Sequence, residues 1–222
     1  MSSATRQAAT RGSASLSEVA GLLLTAVDSG SAPVGGRDRP PPARQALAEH
    51  AGALLSRVAA PVLEVGPGLS GLLAVHDERA VTPLEAVIAG WQRLRKLGST
   101  LPTVVVACDP KLLSSELLAL VARWPAEGSV VPVLDGQPQW CAARYSPDCL
   151  ELAGELLASG QSELSALGDT AGSVTWLGPA ELGEAARAST RSAPACDLLD
   201  DGPAPGGATA GVTWAGAALF AT

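Results

Sequence analysis

The segment TVVVACDPKLLSSELLALVARW (103–124) joins a short, β-branched apolar run to an amphipathic helical pattern, and units of this kind recur along the chain. Apolar runs of strand length occur at 19–27 (VAGLLLTAV), 61–66 (PVLEVG), 72–76 (LLAVH), 103–108 (TVVVAC), 129–134 (SVVPVL) and 173–177 (SVTWL). A further strand is expected at 138–145 (PQWCAARY), joined to 129–134 by a turn at Asp135-Gly136-Gln137. Helical spacing of apolar residues predicts helices at 43–59, 82–98, 114–124, 146–160 and 162–169, and over PAELGEAARAS from Pro179. Strands alternating with helices of these lengths imply an α/β fold, with a mainly parallel sheet covered on both faces.

The helix boundaries carry their own chemistry. Thr82 is placed to cap the helix at 82–98, with Pro83 in its first turn and Glu85 in capping-box position. Arg93, Arg95 and Lys96 favour its C-terminal end, and Gly98 stops it. Ser114 is the expected cap of the next helix.

Composition excludes several classes. A formal net charge of -7 opposes binding to a phosphate backbone. No run approaches the roughly 18 uninterrupted apolar residues of a membrane helix. Cys108, Cys141, Cys149 and Cys196 follow no metal-ligand spacing and are expected to be reduced thiols in a cytoplasmic protein. Residues 1–17 form an expected disordered tail, although their arginine-rich, acid-free bias is shared with transit peptides. Residues 18–192 make up the expected single domain, and 193–222 a Gly/Pro/Ala-rich C-terminal tail.

Asp109 stands one residue beyond a run suited to a buried strand. In open α/β sheets, ligands bind outside the carboxyl ends of the strands, and an aspartate there can meet a phosphate-bound metal. Asp also caps turns, and position alone leaves both roles open. His50 falls within a helix and His76 at a strand end, where structural roles are the expectation. Trp91, Trp124 and Trp140 are expected to serve the core or its rim.

The stretches ACDPKLLSSELLALVA and VVPVLDGQPQWCAARYS, with LEVGPGLSGLLAV and TPLEAVIAGW before them, resemble the molybdenum cofactor guanylyltransferases and related nucleotidyltransferases in order and spacing. The resemblance covers roughly residues 19–178. It implies a Rossmann-like three-layer sandwich that uses Mg2+ and GTP, transfers GMP to a molybdopterin-type pterin cofactor and releases pyrophosphate. By that match Asp109 is the catalytic metal ligand, and Asp77 contacts the nucleotide. A hard oxygen ligand suits magnesium, with water and phosphate oxygens completing its shell. Nucleotide contacts carried over from the family's first loop fall on Leu24, Thr25, Ala26 and, allowing an insertion, Arg39.

That loop also departs from the family. Ala26 and Val27 replace paired glycines whose backbone would wrap phosphate, and Gly36, Asp38 and Arg39 stand where a Gly-x-Asp-Lys is usual. Arginine can grip phosphate with a fork where the family uses a lysine point charge. Near the C-terminus Asp197 is the counterpart of a second metal contact, with Leu199 where another polar group is usual. These departures leave a second reading, a catalytically degenerate relative acting as a binding or regulatory partner of a molybdoenzyme or of cofactor maturation. A dinucleotide oxidoreductase is disfavoured, since no Gly-x-Gly-x-x-Gly follows the first strand.

Overall fold

A computed structural model describes residues 18–25, 41–77, 80, 82–170 and 173–183. Within these, the parallel strands β1 (Ala20–Leu24), β2 (Val62–Val65), β3 (Leu73–Val75) and β4 (Thr103–Ala107) lie in the order β3-β2-β1-β4. The sheet continues through β7 (Ala142–Tyr145) to β5 (Ser129–Leu134), flanked by β6 (Gln137–Pro138) and β8 (Val174–Leu177). Strand β7 runs antiparallel to both β4 and β5, and β6 opposes β5, while the other six described strands share one direction. The sheet is therefore mostly parallel, with one antiparallel strand inside it.

Alternation along the strands sends side chains to two separate cores. Leu22, Leu24, Leu63, Val65, Val105 and Ala107 face a layer containing α2 (Pro83–Lys96) and α4 (Pro147–Ala158). Leu23, Val104 and Val106 face α1 (Pro41–Leu55) and α3 (Ser115–Arg123). The result is a three-layer α/β sandwich.

Local signals act as the sequence implies at α2. Thr82 accepts from the Glu85 amide at 3.3 Å while the Glu85 carboxylate accepts from the Thr82 amide at 2.8 Å, completing the capping box. Gly98 follows with φ 85°, a conformation that releases the chain from the helix. Ser114 caps α3 by accepting from the Leu117 amide at 3.0 Å.

Two boundaries differ from expectation. Helix α1 spans Pro41–Leu55 where 43–59 was expected, because prolines at 41 and 42 lack amides that a first turn leaves unpaired anyway. The strand expected at 138–145 divides into β6 and β7, separated by Gln139, Trp140 and Cys141. Asp135 and Gly136, at φ 50° and 74°, make the tight two-residue turn that folds β6 back on β5. After that hairpin the chain crosses back to reach β4. The helix expected at 162–169 forms as α5 (Ala166–Thr170).

Helix α2 lies unusually close to the sheet. A Cβ on Gly90 would stand 2.7 Å from Leu22 Cδ2 and from Val65 Cγ2. Both neighbours are fully or almost fully buried, so neither can yield. Gly90→Ala is expected to destabilise the protein by about 1–3 kcal/mol, despite alanine's better helix propensity. Chemical denaturation measures this, and a stabilised variant would contradict the close packing.

Candidate functional site

Strand order reverses at β1: β2 and β3 lie to one side, β4 to the other. The carboxyl ends of β1 and β4 thus flank a switch point, where open α/β sheets bind ligands. Backbone bonds hold this edge together: the Thr25 amide donates to Val65 O at 3.0 Å, the Cys108 amide to Leu24 O at 3.3 Å, and the Gly66 amide to Val75 O at 3.1 Å. Thr25, Gly66, His76 and Cys108 consequently line up as the first residues beyond four adjacent strands.

Asp109 comes next after Cys108 and is half-buried. Its Oδ1 accepts from the Lys111 amide at 3.0 Å, and its carbonyl accepts from the Leu112 amide at 3.0 Å. Of the two roles left open by the sequence, the turn role is the one these bonds display, in a carboxylate that sits at the switch point. Its charge reaches the start of β7: burial pushes the Cys141 thiol up to about 12, with Asp109 and Glu163 adding to the rise. Glu163, which the sequence did not single out, acts on the same thiol.

Asp77 lies exposed beyond β3, its carbonyl accepting from the Ala80 amide at 3.1 Å. Strands β3 and β4 are three spacings apart, so their ends stand about 14 Å from each other at ~4.8 Å per spacing. Asp77 belongs to the same edge as Asp109 at a distance suited to a different part of a long ligand. Leu24 is a core residue: its side chain is fully buried, and its carbonyl is engaged by Cys108. Ala26, Arg39 and the counterparts Gly36, Asp38 and Asp197 lie outside the described residues, as do both tails. His50 is an exposed residue of α1, and His76 is exposed beside Gly68. Trp140 packs edge-on against Trp176 with ring centroids 5.5 Å apart, while its carbonyl accepts from Tyr145 Oη at 2.6 Å.

The strongest polar constellation at this edge centres on a residue absent from the sequence-based candidates. Glu64 lies in β2, paired in register with Leu23 and Ala74, and is fully buried. Its Oε1 accepts from Thr25 Oγ1 at 2.6 Å and from the Gly68 and Leu69 amides at 2.8 Å each. Its Oε2 accepts from the Ser70 amide at 2.8 Å and from Ser70 Oγ at 2.6 Å. Burial pushes this carboxyl up, but the bonds from Ser70, Thr25 and Leu69 outweigh burial and hold it below the usual glutamate value. Its negative charge, added to burial, helps push the neighbouring Cys108 thiol up to about 12. One clue was available beforehand: an acid stands inside an apolar strand directly before a glycine-rich loop. Gly68, at φ 84°, aims successive amides at one point, and the point is filled by the chain's own carboxylate.

The rest of the described surface offers less. Cys108, Cys141 and Cys149 are free thiols, and no group of three or more His, Cys, Asp or Glu that could hold a metal occurs among the described residues. A cleft of about 440 Å³ bounded by Glu127, Gly128, Ser146, Asp148, Cys149 and Ser173 opens at the opposite sheet edge, where β7 ends and β5 and β8 begin. It cannot serve chemistry at Asp109. No described helix is long and apolar enough to cross a membrane.

No protein-family profile matches the chain, and no curated protein matches it in sequence. Solved structures do match. A protein of Aquifex aeolicus VF5 superposes with a TM-score of 0.56 at 18% identity, over 76% of this chain and 91% of that one. Molybdopterin-guanine dinucleotide biosynthesis protein A from Archaeoglobus fulgidus gives 0.53 at 13% identity, over 81% and 99%. A 4-diphosphocytidyl-2C-methyl-D-erythritol synthase gives 0.50 at 16% identity, over 74% and 90%. The chain shares the Rossmann-like α/β fold of these solved structures, so the resemblance in local sequence extends to the tertiary structure.

Proposed function

We propose that the protein is a cytoplasmic, magnesium-dependent nucleotidyltransferase that moves GMP from GTP to the terminal phosphate of a molybdopterin-type cofactor. The observation that carries this reading is the position of Asp109, at the switch point of a sheet whose fold matches nucleotidyltransferases. In the reaction a phosphate oxygen of the acceptor attacks the α-phosphorus of GTP, and the bond to the leaving pyrophosphate breaks. The attacking oxygen is already ionised, so no residue has to remove a proton. The chain's task is to hold two anionic substrates in line.

Asp109 fits a magnesium site by donor chemistry. Magnesium takes hard oxygen ligands and is commonly held by one or two carboxylates together with substrate phosphates and water. A half-buried carboxylate at the strand edge meets that requirement without a larger ligand cluster. Magnesium, when bound, supplies positive charge against that developing on the phosphates. Asp77, farther along the edge, would contact the nucleoside, and Arg39 would neutralise phosphate. Thr25 would border the nucleotide beside Asp109.

A second reading is favoured by the replacement of paired glycines with Ala26 and Val27, and by the engagement of the amides at 68–70 with Glu64. A chain with this fold and no phosphate cradle would act as a partner in cofactor maturation or molybdoenzyme assembly. Calorimetric titration with GTP and magnesium separates the two. For the transferase, wild-type protein binds, and Asp109→Asn weakens binding at least tenfold, about 1.4 kcal/mol. Wild-type protein that stays silent at millimolar nucleotide would sink the catalytic reading and leave the partner role.

A further inference from the structure

Sequence resemblance assigns Thr25 to the nucleotide, yet its hydroxyl is committed elsewhere. Thr25 Oγ1 donates to Glu64 Oε1 at 2.6 Å, and the Thr25 amide donates to Val65 O at 3.0 Å. Both bonds go to β2, so the exit of β1 is held from one side by two consecutive residues of its neighbour. On the other side the Cys108 amide grips Leu24 O at 3.3 Å, one residue before Asp109. The place where β1 leaves the sheet is thus tied laterally to the strand that delivers the proposed metal ligand.

Glu64 also gathers the β2–β3 loop. Gly68, Leu69 and Ser70 give it three amides, and Ser70 adds a hydroxyl. Gly52 of α1 leaves only the room this loop needs, since a Cβ there would stand 3.2 Å from Ser70 Cβ and from Leu72 Cδ1. The loop is therefore held between α1 on one side and the carboxylate from β2 on the other. A buried, ionised group with five donors is rigid, because each donor lost would leave charge or amide uncompensated.

We propose that Glu64 is a positioning residue for nucleotide binding, its carboxylate fixing Thr25 at the wall of the switch point beside Asp109 by tying it to the Gly68–Ser70 turn. This rests on the transferase reading. Glu64 touches no substrate. It acts through Thr25, whose hydroxyl points inward to the carboxylate while its backbone borders the site. The amides at 68–70 are in turn unavailable as a phosphate cradle, so phosphate recognition falls to the β1 and β4 ends of the edge.

The test is calorimetric titration of GTP with magnesium on full-length variants, with melting temperature measured in parallel. Thr25→Val, which removes the hydroxyl and keeps the shape, should weaken binding at least fivefold. Thr25→Ser, which restores the hydroxyl, should bind within twofold of wild type. Ser70→Ala removes one bond to the same carboxylate and leaves its four other donors, so it should lower the melting temperature and weaken binding less than Thr25→Val does. In Thr25→Val/Glu64→Gln the loss should not exceed that of the weaker-binding single variant, because both remove one interaction. Wild-type affinity in Thr25→Val, equal losses in Thr25→Val and Ser70→Ala, or additive losses in the double variant would each overturn the positioning role while leaving the transferase reading standing. No binding by wild-type protein overturns the transferase reading, and the positioning role falls with it.

Discussion

Glu64→Leu should lose about 3–5 kcal/mol of folding stability, a large share of the roughly 5–15 kcal/mol that holds a typical domain. Leucine fills much of the space but accepts no hydrogen bond. The Ser70 hydroxyl and the amides of Gly68, Leu69 and Ser70 would lose this acceptor at once, and the Thr25 hydroxyl would keep only Val65 O at 3.4 Å. Each stranded donor costs about 1–3 kcal/mol where water cannot reach it. The total stays below a simple sum because Gly68 is exposed and can be hydrated. Urea denaturation gives the value directly, and a loss under about 1 kcal/mol would show that the five bonds do not act as a unit.

The same carboxylate predicts a pH dependence. Its folded-state pKa lies below the ordinary value of 4.5 that the unfolded chain would show. The unfolded state therefore takes up protons first as the solution is acidified, and Glu64 contributes stability that is fully present above that value. The contribution is lost as pH falls through the folded pKa. Glu64→Gln removes this titration, so the stability gap between wild type and variant should narrow as pH drops below about 4.5. A gap constant from neutral pH down to pH ~3 would mean that folding leaves the Glu64 pKa unshifted.

Arg144→Met is the second substitution expected to be severe, at about 3–4 kcal/mol. Arg144 sits in β7 with Val104 and Val130 as its register partners, deep in the sheet and almost completely buried. Its guanidinium donates to the carbonyls of Ala122 at 3.1 Å, Trp124 at 2.8 Å and Ala126 at 2.6 Å. Those carbonyls belong to the last turn of α3 and the segment that leaves it, the groups a helix end cannot satisfy internally. Positive charge at a helix C-terminus also meets the negative end of the helix dipole. Burial lowers the Arg144 pKa, but arginine remains charged at any ordinary pH. Methionine keeps the apolar stem and removes the guanidinium from all three carbonyls, of which Trp124 O keeps the Ala126 amide at 2.8 Å. Lysine, a point charge without a fork, should recover only part of the loss. Chemical denaturation of both variants tests the assignment, and an Arg144→Met loss under about 1 kcal/mol would mean that water replaces the guanidinium.

Arg144 and Glu64 share a property that explains why neither stood out in the linear chain. Each is one charged residue in an otherwise apolar strand, and what makes it tolerable lies outside that strand: 18 to 22 residues away for Arg144, and for Glu64 both in the turn 4 to 6 residues on and at Thr25, 39 residues away. Sequence periodicity reports burial and cannot report such partners. Asp109 was legible for the opposite reason. A carboxylate directly after a buried strand needs no distant partner to be interpreted, because the strand end itself sets its location. Glu163 was not legible, since only the packing of α5 and its preceding turn near the start of β7 brings its charge towards Cys141.

By itself the sequence determined the class of the fold, the alternation of strands and helices, the capping of α2 and α3, and an aspartate at the carboxyl edge. These follow from local rules of period, cap and turn chemistry that act within a few residues. The tertiary structure alone decided that β7 runs antiparallel between β4 and β5, that Leu24 belongs to the core, and that Thr25 serves Glu64. Strand order, the Thr25–Glu64 bond and the partners of Arg144 depend on contacts between residues far apart in the chain, and no local pattern encodes them.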